Sequence, residues 1–433
     1  MTQTIFALAT PPGRGAIAIL RLSGPGTDGA LDALGAHGLK PRLAALRTLA
    51  LDGVAIDQAL VLRFPKPHSY TGEDCAELHL HGGRAVVERA SAALIALGLR
   101  PADPGEFTRR AFENQRMDLA QAEAVADLID AETTAQATQA LGQLGGALSE
   151  TYAGFRRDLL RALALVEAEI DFPDEEIPDQ LALSAGPVLD RLIETLSAAM
   201  ADADRGRRVR EGYRIVLIGE TNAGKSALFN ALLAREAAIV TPIAGTTRDV
   251  LDAELIIGGY AVTLSDTAGL RESDDPIEAE GVRRARRRAE GADLRLWVRA
   301  PGDGAGDAAA FVRPDDLTVW TKADLGADVA SRPGLSISAV TGQGLAELEA
   351  WLAVRLQRDL SGGDFPAVTR ERHRRRLSEA LEAVRMGRAR LADGPELAGE
   401  DLRRASDALA RVTGAVAVED VLGEVFATFC IGK

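Results

Sequence analysis

Lysine, cysteine and aromatic residues are all scarce in this 433-residue chain. The two cysteines, Cys75 and Cys430, cannot build a disulfide framework, which sets aside the stapled secreted scaffolds. No apolar run is long enough to cross a bilayer, and Met1 to Thr10 lack the basic start and apolar core of an export signal. A cytoplasmic protein with no membrane association is expected. Positive charge is in deficit as well: the formal net charge of −14 excludes a protein that coats nucleic acid by bulk electrostatics, so any RNA contact must be local. Two arginine-rich runs, Arg283–Arg288 and Arg372–Arg376, are candidates for one, but a solvated helix face is the commoner fate of such runs and is the reading preferred for both. Among the basic residues lysine is the rare one, with Lys40, Lys66, Lys225, Lys322 and Lys433 standing against 45 arginines. Three of these five fall inside motifs below, where a compact ammonium suits the site better than a planar fork.

What is present reads as several domains, because the length exceeds what one hydrophobic core usually organises. Residues 1–118 mix short apolar runs (Ala16–Leu22, Ala59–Phe64, Ala76–Leu80) with glycine and proline punctuation, the texture of an α+β domain. Residues 119–211 turn to Ala, Leu, Gln and Glu at helical spacing. Arg214–Ile218 opens an α/β pattern assigned to 212–362, with Gly302–Ala310 as a flexible loop, and 363–433 is helix-rich again. The expectation is one helical domain assembled from two separated segments, with an α/β unit inserted between them; chain ends of a compact insert often lie close together, so the host fold tolerates it.

Gly219-Glu-Thr-Asn-Ala-Gly-Lys-Ser226 has the spacing of a phosphate-binding loop and stands between an apolar strand and a helix-compatible run. Its backbone N–H groups can wrap phosphates, Lys225 can reach the β- and γ-phosphates, and the Ser226 hydroxyl can ligate Mg²⁺. Asp266-Thr-Ala-Gly269 follows a strand-like run, where a carboxylate can hold a magnesium-bound water and the Gly269 amide can sense the γ-phosphate. Thr321-Lys-Ala-Asp324 follows another strand. Asp324 can accept from guanine's N1–H and exocyclic amine, a donor pair that adenine lacks, and Ser336-Ile-Ser-Ala339 supplies a base-side backbone contact.

These elements resemble the translation-factor-like, Ras-like GTPases. That resemblance makes Gly245–Asp249 the first switch, with Thr247 as the second Mg²⁺ ligand beside Ser226. It implies GTP contacts at Asn222, Ala223, Gly224, Lys225, Ser226 and Ala227; at Thr241, Pro242, Ile243, Ala244, Gly245, Thr246 and Thr247; at Asp266, Thr267, Ala268 and Gly269; at Thr321, Lys322, Ala323 and Asp324; and at Ser338, Ala339 and Val340. One departure is plain: Thr321 stands where most of that family has asparagine, whose amide holds the base and braces the phosphate loop, so weakened nucleotide affinity is expected.

The flanks narrow the resemblance. Thr10–Gly24, Tyr70–Asp74 with Glu77, His81-Gly-Gly83, Pro104–Phe112 and the terminal Phe429-Cys-Ile-Gly-Lys433 occur in the order seen in the MnmE (TrmE) family, and with the central motifs they cover nearly the entire chain. The usual water-positioning glutamine after Gly269 is missing, and the resemblance puts Glu278 in that catalytic role, with Glu272 and Glu280 as neighbours competing for it. It places a K⁺ ion on Asn222, Thr241, Ile243 and Thr246, where a cation offsets charge as an arginine finger does. It gives the amino-terminal domain a 5,10-methylene- or 5-formyl-tetrahydrofolate held by Arg21, Glu77, Arg116 and Lys433, with Arg116 replacing the family's usual lysine. Cys430 is either a buried small hydrophobe or a reactive thiol.

The resemblance further implies a homodimer, an FAD-dependent MnmG-type partner in a heterotetramer, and installation of a (carboxymethyl)aminomethyl group at C5 of the wobble uridine of certain tRNAs. Two other readings compete: a ribosome-assembly GTPase, which leaves the flanks unexplained, and a stand-alone folate-dependent group-transfer enzyme, which leaves the GTPase insert unexplained.

Overall fold

Strand and helix alternate in blocks along the chain, and among the described residues the strands sort into two sheets of six each. The computed structural model describes residues 3–171, 181–235, 252–266, 286–304, 307–325, 332–362, 364–392, 394–416, 419–427, 429 and 432. Two compact units result, one comprising Met1–Ile129, Gln143–Leu189 and Glu382–Lys433, the other Asp130–Gly142 and Asp190–Leu381.

The first unit carries β1 (Ile5–Leu8), β2 (Ile17–Ser23), β3 (Ala45–Leu51), β4 (Val54–Phe64), β5 (Cys75–His81) and β6 (Arg100–Pro101), in the order β3-β4-β5-β2-β1-β6. All neighbours are antiparallel except β1 and β6. Asp52-Gly53, both at positive φ, closes the β3–β4 hairpin, the two-residue turn whose twist matches paired strands. Alternation along the strands gives the sheet two different faces. Leu20, Leu22, Leu78 and Leu80 pack with Leu31 and Leu94, from helices Thr27–Ala33 and Arg84–Ala96. The other face carries Ile5 and Ala7 against Phe107 and Tyr70. Register then sets Ala7, Arg21 and Glu77 side by side across β1, β2 and β5.

Two long helices of this unit, Ala147–Asp171 and Pro395–Thr413, come from distant parts of the sequence. Apolar positions at helical spacing (Leu159, Ala162 and Val166 on one; Ala398, Leu402, Ala405 and Leu409 on the other) are fully or nearly fully buried. Arg403 Nε donates to Glu167 Oε1 at 3.0 Å across 236 residues of chain. The helical domain is therefore discontinuous.

The second unit holds β7 (Tyr213–Ile218), β8 (Asp252–Ile257), β9 (Tyr260–Asp266), β10 (Leu294–Arg299), β11 (Leu317–Trp320) and β12 (Leu335–Ser336), ordered β12-β11-β10-β7-β9-β8. Pairing is parallel except at the β8–β9 hairpin. Central parallel strands need both faces covered, which explains the continuous Ile215-Val-Leu-Ile218 run. Ile215 and Leu217 meet Leu228, Phe229 and Leu232 of helix Lys225–Arg235 and Leu348, Leu352 and Leu356 of helix Leu345–Leu360. Val216 and Ile218 pack on the opposite side with Ala289 and Ala292. The Gly302–Ala310 stretch is not wholly a loop: Asp307–Phe311 forms a 3₁₀ turn, because Phe311 and Val312 are drawn onto the Val216–Ile218 cluster.

Candidate functional site

At the carboxyl end of β7 the chain must turn sharply into helix Lys225–Arg235, and the backbone of the loop shows how. Gly219 (φ +154°) leaves no room for a side chain, since a Cβ there would lie 2.2 Å from the Val298 carbonyl oxygen on β10. Asn222 (φ +65°) and Gly224 (φ +96°) are also left-handed, a geometry that aims successive N–H groups into a concave nest suited to anions. Lys225 is buried, and its ammonium donates to the Gly219 and Glu220 carbonyl oxygens, each at 2.9 Å. Burial lowers the Lys225 pKa below its ordinary value of 10.5, against the opposing pull of Asp266, Glu220 and Asp303.

The neighbouring Ser226 Oγ donates to Asp266 Oδ2 at 2.6 Å. Asp266 is itself buried at the end of β9, and among the described residues its Oδ1 has no hydrogen-bond partner. A buried carboxylate oxygen without a partner is costly. A hydroxyl and a half-satisfied carboxylate together form an all-oxygen donor pair of the kind hard divalent cations take, directly or through water, so these residues fit Mg²⁺.

On the base side, Thr321 changes the sequence-based expectation. Its hydroxyl is buried and lies 2.6 Å from the Ala223 carbonyl oxygen and 3.2 Å from that of Arg299, so it braces the phosphate loop although it is no asparagine. Gly224 fits beneath it, where a Cβ would lie 3.2 Å from Thr321 Oγ1. Of the two tasks expected of asparagine, threonine performs the bracing; its short side chain lacks the amide that would reach the base. Lys322 (φ +58°) adds a second tie, with Nζ donating to the Asn222 carbonyl at 3.0 Å.

Backbone bonds from Ile337 N to Trp320 O (2.7 Å) and from Ala323 N to Ile337 O (3.1 Å) sew the Thr321–Asp324 segment to the Ser336–Ala339 segment. Asp324 is exposed, Ser338 is buried and takes the Thr341 N–H at 3.1 Å, and Val340 is 87% exposed. Asn222, Ala223, Gly224, Lys225, Ser226, Ala227, Asp266, Thr321, Lys322, Ala323, Asp324, Ser338, Ala339 and Val340 thus all lie at the carboxyl ends of β7, β9, β11 and β12 or in the segments that follow them. Thr241, Pro242, Ile243, Ala244, Gly245, Thr246, Thr247, Thr267, Ala268, Gly269, Glu272, Glu278, Glu280, Cys430 and Lys433 lie outside the described residues.

The amino-terminal candidates form a separate site. Arg21 Nε and Nη2 donate to Glu77 Oε1 at 3.1 and 2.9 Å, and His79 Nε2 lies 3.2 Å from Glu77 Oε2. The Arg21 guanidinium sits 5.5 Å from the Tyr70 ring centroid. Tyr70 bonds Thr108 at 2.8 Å, and burial pushes its phenol pKa up. His79 was not singled out from the sequence, although two residues beyond Glu77 on a strand is the same face.

Gly432 (φ +95°) lies against the end of β1, where a Cβ would meet Leu8 O at 2.4 Å, so this one residue sits beside the strand that pairs with Arg21. The Arg116 stem packs near Gly72. The Tyr70–Asp74 and Pro104–Phe112 motifs are joined structurally, because buried Arg110 donates to Glu73 at 2.9 Å and to Glu106 at 2.8 Å.

The second arginine run lies on helix Glu371–Arg390 and is paired: Arg374 with Asp204 at 2.9 Å, and Arg375 and Arg376 with Glu379 at 3.1 and 2.6 Å. Of the first run, Arg288 pairs with Asp252 at 3.2 Å. The paired guanidiniums of the second run are at least partly exposed around a buried His373, and Arg283 and Arg284 of the first run lie outside the described residues. No described helix is long and apolar enough to cross a membrane.

The family model for the MnmE helical domain matches residues 119–430, and that for the GTP-binding protein TrmE N-terminus matches residues 4–116. The tRNA modification GTPase MnmE of Caulobacter vibrioides is 55% identical and that of Phenylobacterium zucineum 54%, each over 100% of both chains. Among solved structures, a variant of Aquifex aeolicus Era bound to GDP and AlF₄⁻ is 24% identical over 35% of this chain and 57% of that one, with a TM-score of 0.28. The two family models and the full-length relatives place the chain in the MnmE (TrmE) family.

Proposed function

We propose that the chain is a K⁺-stimulated GTP hydrolase whose cycle serves tRNA modification. The observation that carries the hydrolase reading is the buried Asp266 carboxylate, with one oxygen on Ser226 Oγ at 2.6 Å and the other without a partner. Ser226 and Asp266, with Thr247, would hold Mg²⁺, which when bound offsets charge on the phosphate oxygens. Lys225 exchanges the Gly219 and Glu220 carbonyls for phosphate oxygens; its desolvation makes that attraction stronger than it would be in water. Asp324 selects guanine, and Glu278 orients the attacking water.

Asn222 supports the K⁺ reading because its left-handed backbone and exposed side chain stand at the mouth of the phosphate loop. Thr241, Ile243 and Thr246 complete the ligand set. The domain division is 1–118, 119–211, 212–362 and 363–433, with the third segment inserted into the helical domain.

The amino-terminal face would bind a reduced folate. Glu77 already accepts from a guanidinium and an imidazole, so it suits the amine and ring N–H of a pterin, with Arg21, Arg116 and Lys433 taking oxygens of the ligand. The carbon unit would be transferred, with an FAD-dependent MnmG-type partner, to C5 of the wobble uridine. The protein would act in the cytoplasm as a homodimer that joins the partner in a heterotetramer. The decisive experiment compares tRNA nucleosides from cells with and without the gene: loss of the modified wobble uridine is expected, and unchanged nucleosides reject the reading.

A further inference from the structure

Beside Arg116, the first unit opens into a cavity of about 890 Å³ between residues 112–121, helix Ala147–Asp171 and the end of helix Pro395–Thr413. Its walls are of two kinds. Phe112, Met117 and Leu160 present apolar surface, while Arg116, Arg156 and Arg157 present three guanidiniums. Among the described residues none of these three has a hydrogen-bonded or ionic partner, in a chain whose arginines are otherwise mostly paired. The two carboxylates in the same cavity are already engaged elsewhere. Glu113 takes Arg109 at 2.8 Å, and Asp118 accepts from Ser149 Oγ and from the Gln121 N–H. The cavity is thus left with uncompensated positive charge in a chain whose net charge is −14.

We infer that this cavity binds the poly-γ-glutamyl tail of the folate, an inference that rests on the folate reading of Arg21 and Glu77. The route is laid out in the structure: Arg21 lies over Tyr70, Tyr70 begins the segment containing Gly72, and the Arg116 stem packs near Gly72 before its head reaches the cavity. A p-aminobenzoyl ring suits the apolar wall of Phe112, Met117 and Leu160, and each γ-linked glutamate adds one carboxylate. Guanidiniums with no internal partner can take these carboxylates without first breaking an ion pair, which is the advantage of this cavity over the Arg21–Glu77 pair.

The test is calorimetric titration of the full-length chain with monoglutamyl and pentaglutamyl tetrahydrofolate. The pentaglutamyl form should bind about ten-fold more tightly, with the advantage shrinking as salt rises. In Arg156→Glu/Arg157→Glu the ratio should fall to about one; both side chains are exposed, so a circular-dichroism melt like that of the unmodified chain is expected. The unmodified chain alone also decides the matter, because equal affinities for the two forms overturn the tail site while leaving the folate reading intact. A ratio that survives the double charge reversal also overturns it, as does a loss of tRNA binding in that variant with the ratio unmoved. Binding of neither form overturns the tail site and the folate reading together.

Discussion

The two candidate sites handle charge in opposite ways. At the phosphate loop the backbone is shaped and the polar atoms are held short of full satisfaction: Asp266 Oδ1 is orphaned, and Lys225 rests on two carbonyls that any phosphate would outbid. On the amino-terminal sheet Arg21, Glu77 and His79 satisfy one another. A ligand at the first site relieves a cost already present in the fold. A ligand at the second must break an ion pair before it gains anything. The first should therefore tolerate few substitutions, whereas the second should show smaller, ligand-specific losses.

The largest effect expected is from Lys225→Ala, which should weaken GTP by about 100-fold or more in a nucleotide-binding titration, since a buried charge-assisted contact disappears. Asp324→Asn should come next, with about 100-fold weaker GTP and improved xanthosine triphosphate binding in the same titration, because an amide can donate where guanine's amine has been replaced by oxygen. Glu77→Gln should weaken folate by about ten-fold while leaving GTP affinity unchanged. Equal losses at both sites in that variant would erase the contrast between them.

Smaller effects probe the bracing and the buried ammonium. Thr321→Val keeps the shape and removes the hydroxyl, and should cost about 1–2 kcal/mol in a denaturation curve because the Ala223 carbonyl loses its partner. Thr321→Asn should instead tighten guanine nucleotides, if the missing amide is what limits affinity. The Lys225 pKa lies below 10.5 in the free protein and rises when phosphate binds, so the complex holds the extra proton and GTP affinity should fall as pH climbs through the free-state value. The nucleotide-free fold should shift the other way: the unfolded lysine keeps a proton that the folded one gives up, so stability rises with pH in the window between the depressed pKa and 10.5.

The contrast between the sites also explains what the sequence made legible. A phosphate loop is a local object: Gly219, Gly224, Lys225 and Ser226 are close in sequence, and each is required by backbone geometry or charge, so spacing alone identifies it. The Ile215–Ile218 core strand was legible for the same reason, as a continuous apolar run. The Arg21–Glu77 pair spans 56 residues and is brought together only by antiparallel register, so the residues were found by family resemblance and not by pattern. His79 was missed because nothing in the sequence marks a strand histidine as facing a particular carboxylate. In sequence Thr321 shows only the loss of an amide; its bracing role depends on the Ala223 carbonyl, 98 residues away, and on Gly224 being small enough to sit beneath it. The 3₁₀ turn at Asp307–Phe311 escaped notice because the surrounding glycines spoke for a loop while Phe311 and Val312 answered to the sheet.

The central claim is that the Lys225–Ser226–Asp266 constellation splits GTP with help from a cation beside Asn222. It is tested most directly by measuring GTP turnover in K⁺ and Na⁺ buffers of equal ionic strength, for the unmodified chain and for Asn222→Ala. Faster turnover in K⁺, with the difference abolished in the variant, is the predicted result. Equal turnover in the two salts, or a K⁺ effect that survives the loss of Asn222, would contradict it.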